Sequence, residues 1–343
     1  MNFNKNIVIN WHITEACNYH CKFCFAKWNK PTELWSDPEN VEKVISNICK
    51  HFRSQGYFPI RLNIVGGEPI MFPERLWKVV EIAYKHEMEI SIITNGSHLE
   101  NIFPFAHLIS QVGISIDSLN HLTNVNIGRE CGGKTISFET LREKIERIRK
   151  VNPDIRIKIN TVVNRENFNE ILVDRFAQLH IDKWKIFRQM PFNGNGGISD
   201  YQFYAFLRNN YNEELMQKSA PVHQDSLEAL YMTDLDYSGK KDDKTNKQVI
   251  FIEDNNAMTE SYLMISPDGR FFQNGSEEYC YSRPLTEASV EEALSDIKFD
   301  SSKFEERYNS WSTQSAVYEA NTFFHVNDYD YDDYEIFGEL SED

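Results

Sequence analysis

Ile7-Val-Ile-Asn-Trp-His-Ile13 runs directly into Thr14-Glu-Ala-Cys17-Asn-Tyr-His-Cys21-Lys-Phe-Cys24. The first stretch has the apolar alternation of a strand, and the loop after it carries three thiols within eight residues. The remaining cysteines, Cys49, Cys131 and Cys280, are scattered, which is not a disulfide framework; a cluster of this kind indicates a metal or catalytic site. Outward from the first strand the rhythm repeats. Strands are predicted at Ile7–Ile13, Arg61–Val65, Glu89–Thr94, Gln111–Asp117, Ile155–Val163 and Lys183–Phe187. Helical patterns lie between them at Glu39–Gln55, Pro73–His86, Leu99–His107, Phe138–Val151 and Glu166–Gln178. Strand–helix alternation implies a parallel α/β sheet, and six such units are too few for a closed eight-stranded barrel. The expected fold is an open, partial (β/α)6 barrel over residues 1–190, with its chemistry at the C-terminal ends of the strands.

Beyond residue 190 the pattern changes. Asn193-Gly-Asn-Gly-Gly197 reads as a turn and Tyr237–Gln248 as a polar surface loop. Ser261–Ile265, Pro267-Asp-Gly269 and Arg270–Gln273 read as a hairpin, and Val290–Ser295 as a short helix. Residues 191–327 are therefore expected as a C-terminal extension packed on the barrel and completing its pocket. The chain of 343 residues has 52 acidic and 36 basic side chains and a formal charge of −16. That charge argues against a nucleic-acid partner. Residues 328–343 hold eight acids and no base, and are expected as a solvated, disordered tail. No apolar run reaches the roughly 18 residues of a membrane span, and the N-terminus lacks a signal-peptide pattern. The expectation is a soluble, cytoplasmic protein without a membrane partner.

Three thiolates suit a [4Fe–4S] cluster whose fourth iron is ligated by something else, whereas structural zinc needs a fourth protein ligand. His12 and His20 are the candidates for a Cys3His zinc alternative. Cys17-x3-Cys21-x2-Cys24, with Phe23 before the last cysteine, resembles the signature of the radical S-adenosylmethionine (SAM) superfamily. The resemblance implies that these cysteines bind three irons while SAM chelates the fourth, and that SAM is cleaved to a hydrogen-abstracting 5′-deoxyadenosyl radical. Gly66-Gly-Glu-Pro69 after the second strand matches the superfamily element for the SAM amino group. Thr94-Asn-Gly96 and Ser115-Ile-Asp117-Ser118 end the third and fourth strands, where the superfamily contacts SAM ribose or carboxylate.

Strand alternation places residues i and i+2 on one face. Arg61 shares a face with Asn63, Lys158 with Asn160, and Lys183 with Lys185. Four cations facing one lumen are costly unless an anion occupies it, and a triphosphate fits. The same residues carry a closer resemblance, to the viperin family of antiviral radical SAM enzymes. Asn18-Tyr-His-Cys-Lys-Phe-Cys-Phe25, Asn126-Ile-Gly-Arg129, Lys158-Ile-Asn-Thr-Val-Val-Asn164, Lys183-Trp-Lys-Ile-Phe187, Val290-Glu-Glu-Ala293 and Trp311-Ser312 match its segments in order. That resemblance implies a dehydratase that abstracts the C4′ hydrogen of CTP, UTP or GTP and eliminates the 3′-hydroxyl. The 3′-deoxy-3′,4′-didehydro product terminates viral RNA synthesis. It further implies an external flavodoxin- or ferredoxin-type electron donor, and SAM contacts from Phe25, Gly66, Gly67, Glu68, Asn95, Ser115 and Arg129. Triphosphate contacts are implied for Asn10, Arg61, Asn63, Lys158, Asn160, Lys183, Lys185 and Arg283. The cation types at Arg61, Lys183 and Arg283 depart from the vertebrate pattern, and Pro267-Asp-Gly269 stands where that pattern has a tyrosine-bearing turn. A peptide-modifying radical SAM maturase is the alternative. Such enzymes carry further clustered cysteines, whereas only Cys280 lies beyond Cys131 here.

Overall fold

In β1 (Lys5–His12), Ile7, Ile9 and Trp11 are buried, and Val8 and Asn10 alternate with them on the other face. The same period of two continues in β2 (Tyr57–Val65), β3 (Glu89–Thr94), β4 (Gln111–Ser115), β5 (Arg156–Val163) and β6 (Lys183–Arg188). Each pairs in parallel with its predecessor. The computed structural model describes residues 5–26, 32–191, 196–210, 249–253, 258, 260–273 and 279–304. The acidic segment 328–343, the polar stretch Tyr237–Gln248 and Trp311-Ser312 lie outside the described residues.

The apolar face of the sheet packs under the helices. In α1 (Pro38–Ser54), Val41, Val44, Ile45, Ile48, Cys49 and Phe52 form one buried stripe at helical spacing. Its start is set by Pro38 at the first position and by Asp37, whose side chain accepts from the Glu39 N–H at 3.0 Å. α2 (Pro73–Lys85) repeats the stripe with Leu76, Val79, Val80 and Ala83. At β6, the buried Trp184 ring meets Phe176 and Phe206 edge-on, and its Nε1–H donates to Thr161 Oγ1 at 2.9 Å. Each such large apolar side chain contributes about 1.5–3 kcal/mol on burial.

Two predicted helices differ. Leu99–Leu108 is a kinked 3-10 segment, because Pro104 removes a backbone donor in its interior. The stretch predicted as a helix over 166–178 is helical only in Val173–Ala177, which with the short His121–Ile127 and the longer Phe138–Val151 gives α3 (His121–Ile127), α4 (Phe138–Val151) and α5 (Val173–Ala177). Asparagine side chains hold the chain before α5 in turns: Asn167 Oδ1 accepts from Asn164 N, Asn164 Oδ1 accepts from Glu166 N, and Asn167 Nδ2 donates to Asp117 O.

The parallel set does not stop at six strands. β7 (Val249–Glu253) pairs in parallel with β6, and β8 (Leu263–Ile265) pairs in parallel with the far side of β1. β9 (Arg270–Gln273) and β10 (Cys280–Pro284) add antiparallel strands beyond β8, giving the order β10-β9-β8-β1-β2-β3-β4-β5-β6-β7. The segment expected as an extension is thus continuous with the sheet. Among the described residues no ladder joins β7 to β8. Side chains bridge them instead: Tyr262, beside β8, accepts from Lys185 Nζ of β6 at 3.1 Å and donates its hydroxyl to Glu253 of β7. The sheet is therefore rolled around a lumen into which β2, β5, β6 and β7 all project charge. α6 (Asp200–Asn210) meets β6 through Phe206 against Trp184, and α7 (Val290–Ser295), with a Ser289/Glu292 capping box, packs on β10.

Asn210 ties α6 to α5. Its Oδ1 accepts from the Leu172 and Val173 N–H groups at 2.6 and 3.2 Å, and its Nδ2 donates to Glu170 O at 2.7 Å. Asn210→Ala leaves two buried donors unsatisfied, and the expected cost is about 2 kcal/mol. Thermal unfolding should show it as a midpoint fall of roughly 3 °C.

Candidate functional site: a cysteine loop above a cationic lumen

The cysteine loop is clamped from three sides. From below, Gly67 N donates to Thr14 O and Glu68 N to Ala16 O, both at 2.7 Å. A Cβ on Gly66 or Gly67 would lie under 3 Å from those carbonyl oxygens, so only glycine lets the two chains approach this closely. From one flank, Glu33 accepts from Thr14 Oγ1 at 2.6 Å, Glu15 N at 3.2 Å and Trp35 Nε1 at 3.0 Å. From the other, His20 N and Lys22 N donate to Gly128 O and Ile127 O at 3.0 and 2.9 Å. Gly128 has φ +87° and no room for a side chain against His20 O.

Glu68 is wholly buried and accepts from Ile70 N, Thr94 Oγ1 and Asn95 N at 3.2, 2.8 and 2.6 Å. Burial pushes its pKa up to about 7, against the lowering effect of those donors. Its carboxylate is thus committed to protein groups, and its bearing on a ligand is to fix Gly66–Gly67 and the end of β3. Asn95 Nδ2 donates to Asn18 Oδ1 at 2.8 Å and reaches Cys17 Sγ at 3.9 Å. Arg129 is ion-paired with the fully buried Asp117, which also accepts from Val162 N at 2.8 Å; the guanidinium lies over the Phe23 ring at 5.9 Å. Asp117, expected among the ligand contacts, is therefore spent inside the protein. Phe25 is exposed, with His12 edge-on at 5.7 Å and its carbonyl held by the Tyr279 hydroxyl at 3.1 Å.

The lumen contains a separate set. Asn63 Nδ2 donates to Asn10 Oδ1 at 2.6 Å and Asn63 Oδ1 accepts from Ser91 Oγ at 2.8 Å. Arg61 is paired with Glu89 at 2.6 Å, and Lys185 with Glu253 at 2.5 Å, the latter pair almost fully buried. Register sets Lys158 beside Lys183, Asn160 beside Lys185, and Ser115 beside Asn160. Gly113 gives the stem of Lys158 and the Asn160 amide their space, since a Cβ there would press on both. Asn160 Oδ1 is buried with no hydrogen-bond partner among the described residues. Lys158 makes no ion pair among them. Burial, then repulsion from Lys185 and Lys183, holds its amine well below the ordinary lysine range. Burial and Lys185 push Lys183 from 10.5 down to about 7.

Sequence alternation therefore located Arg61, Asn63, Lys158, Asn160, Lys183 and Lys185 on one lumen. It missed Arg156, whose pKa is lowered by burial and by Arg61. Arg156 precedes Lys158 by two, so the same rule reaches it. Arg283 is not brought to this set. It lies exposed on β10, paired bidentately with Asp296 at 2.8 and 3.0 Å, a local partner that alternation does not reveal.

Residues 11–175 match the family model of the radical SAM superfamily. An S-adenosylmethionine-dependent nucleotide dehydratase of Fibrobacter sp. (strain UWH6) is 57% identical over 328 residues, covering 95% of each chain. The chain belongs to the radical SAM nucleotide dehydratase family. A second dehydratase, from Psychrobacter lutiphocae, is 37% identical over 89% of this chain and 95% of its own. Among solved structures, anSMEcpe with bound AdoMet aligns with a TM-score of 0.58 at 16% identity, over 88% of this chain and 82% of that one, a likeness of fold alone.

Radical SAM enzymes use a [4Fe–4S] cluster and SAM, and the donor set fits. Cys17, Cys21 and Cys24 are soft thiol donors on one clamped loop, the ligand type that iron–sulfur clusters take. The histidines of a zinc alternative are engaged elsewhere: His20 is exposed and the buried His12 ring packs against Phe25 and Phe272. In such an enzyme Cys17, Cys21 and Cys24 would hold the cluster; Gly66, Asn95 and Ser115 lie at or just past the ends of β2, β3 and β4.

Gly67→Ala should prevent the loop from seating on Ala16, and iron analysis of reconstituted protein should show most cluster lost while far-ultraviolet circular dichroism is retained. The low basicity of Lys183 has a defined sign. Between about pH 7 and 10.5 the unfolded chain binds more protons at this residue than the folded one, so its contribution makes the protein more stable as pH rises across that window. A bound polyanion reverses the shift. Triphosphate binding at pH 8 should therefore take up protons, measurable by calorimetry in buffers of different ionisation enthalpy, and weaken as pH rises above about 7.

Proposed function

We propose that the protein is a nucleoside-triphosphate dehydratase that takes the C4′ hydrogen and 3′-hydroxyl from CTP, UTP or GTP and releases the 3′-deoxy-3′,4′-didehydro nucleotide. The observation that carries this reading is the charge of the lumen. Arg61, Arg156, Lys158, Lys183 and Lys185 face it against Glu89 and Glu253, in a chain whose formal charge is −16. Such a surplus of enclosed cations suits a triphosphate better than a neutral or peptidic substrate. Membership of a nucleotide dehydratase family supports the same substrate class.

When bound, the cluster and SAM supply one-electron hydrogen abstraction. The residues of this chain do the rest. Lys158, Lys183, Lys185 and Arg61 hold the phosphates, and Asn63 and Asn160 offer amide contacts. The clamped loop and Glu68 keep the SAM side in fixed register with them. Enclosure excludes water from a reactive intermediate. The product has no 3′-hydroxyl, so a polymerase that incorporates it cannot extend the chain, which suits antiviral defence. The reading includes a cytoplasmic setting and an external flavodoxin- or ferredoxin-type reductant.

Anaerobic protein with reconstituted cluster, dithionite and SAM should form 5′-deoxyadenosine faster with one of CTP, UTP or GTP, together with a nucleotide lighter by one water. Equal 5′-deoxyadenosine formation with and without every triphosphate would overturn the substrate assignment. The double variant Lys158→Ala, Lys185→Ala should weaken triphosphate binding by about a hundredfold or more, as loss of two charged contacts requires, while cluster content stays unchanged.

A further inference from the structure

Lys185 is a lumen cation engaged closely by the protein itself. Its ammonium is ion-paired with Glu253, 2.5 Å from Oε1, and donates to the Tyr262 hydroxyl at 3.1 Å. Tyr262 donates in turn to Glu253 Oε2, so the three groups form a ring of contacts from β6, β7 and the start of β8. Both charged side chains are less than a tenth exposed. The ammonium also lies over the Phe187 and Tyr262 rings at 4.9 and 5.5 Å. Three neighbours, Glu253, Tyr262 and Phe187, hold a side chain that would otherwise have four rotatable bonds. Asn160 on β5 stands beside Lys185 in register.

The ring of Tyr262 also has a second neighbourhood. It packs against the small cluster of Ala26, Met264 and Phe272, on which Cys24 of the cysteine loop, Tyr279 and Tyr281 pack as well. Phe272 continues that packing to His12 at 5.4 Å and Tyr279 at 5.3 Å. One residue thus touches the phosphate side of the lumen with its hydroxyl and the cluster side with its ring.

We propose that Tyr262 and Glu253 are positioning residues that aim Lys185 at the triphosphate and couple nucleotide binding to the geometry of the cysteine loop. The inference rests on the triphosphate reading above. Glu253 supplies the counter-charge that a buried ammonium needs, and Tyr262 fixes its direction. The tyrosine hydroxyl is neutral, so removing it changes orientation without changing the charge of the lumen.

The test compares wild type, Tyr262→Phe and Glu253→Gln as full-length reconstituted proteins. Tyr262→Phe is expected to raise KM for the productive triphosphate about tenfold with kcat changed less than threefold. It should also raise the ratio of 5′-deoxyadenosine to dehydrated nucleotide severalfold. Iron content should match wild type. Glu253→Gln, which keeps an acceptor for Tyr262, is expected to show the same KM effect. Unchanged KM and unchanged product ratio in Tyr262→Phe would overturn the proposal. So would a uniform loss of iron, thermal midpoint and nucleotide-free SAM cleavage, which would make Tyr262 a structural clip only. If wild type dehydrates no triphosphate, the dehydratase reading fails by itself. Equilibrium dialysis of CTP, UTP and GTP against wild type and Tyr262→Phe still decides the positioning role, since equal affinities would refute it.

Discussion

Enclosing like charges is the constraint around which this molecule is arranged. Five basic side chains converge on one lumen, where Arg61 meets Glu89 and Lys185 meets Glu253 at salt-bridge distance. Lys158 and Lys183 meet the constraint by losing basicity. Repulsion of this kind is tolerated because the outer face of the same strands buries a continuous apolar layer against the helices. The site is thus unfavourable locally and held in place by the scaffold, as pre-organised binding sites are.

A second constraint acts at the rim. The cysteine loop has no regular secondary structure, yet its backbone groups are taken up by the Gly66–Gly67 turn, by Gly128 after α3, and by the side chain of Glu33. Glycine at those turns is a matter of distance between main chains rather than of flexibility. Glu68 links the turn to the end of β3, and Asn95 links that strand end to Asn18 and Cys17. Loop, turn and strand ends therefore move as a unit.

The six-unit alternation and the lumen cations were legible in the chain because both follow from a period of two in β2, β5 and β6. The cysteine spacing was legible because ligand sets are local. What alternation could not supply was pairing across distance. Glu253 and Tyr262 meet Lys185 only once the sheet has rolled up, and the hairpin read at Ser261–Ile265 gave no sign of which strand it would approach. Arg283 went the other way, because Asp296 claims it thirteen residues later in the chain. The helix predicted over 166–178 shrank because Asn164 and Asn167 offer the backbone side-chain partners, a competition that apolar periodicity does not register.

The seam between β7 and β8 is closed by side chains and not by a ladder. A main-chain closure would fix the bore of the lumen through the spacing of its hydrogen bonds. A closure made of tyrosine, glutamate and lysine sets that bore by side-chain length, which a single codon can alter without opening a strand pair. The framework and the calibre of the channel are thereby separable properties, and related chains can retune the size of the molecule they admit while keeping every other strand in register.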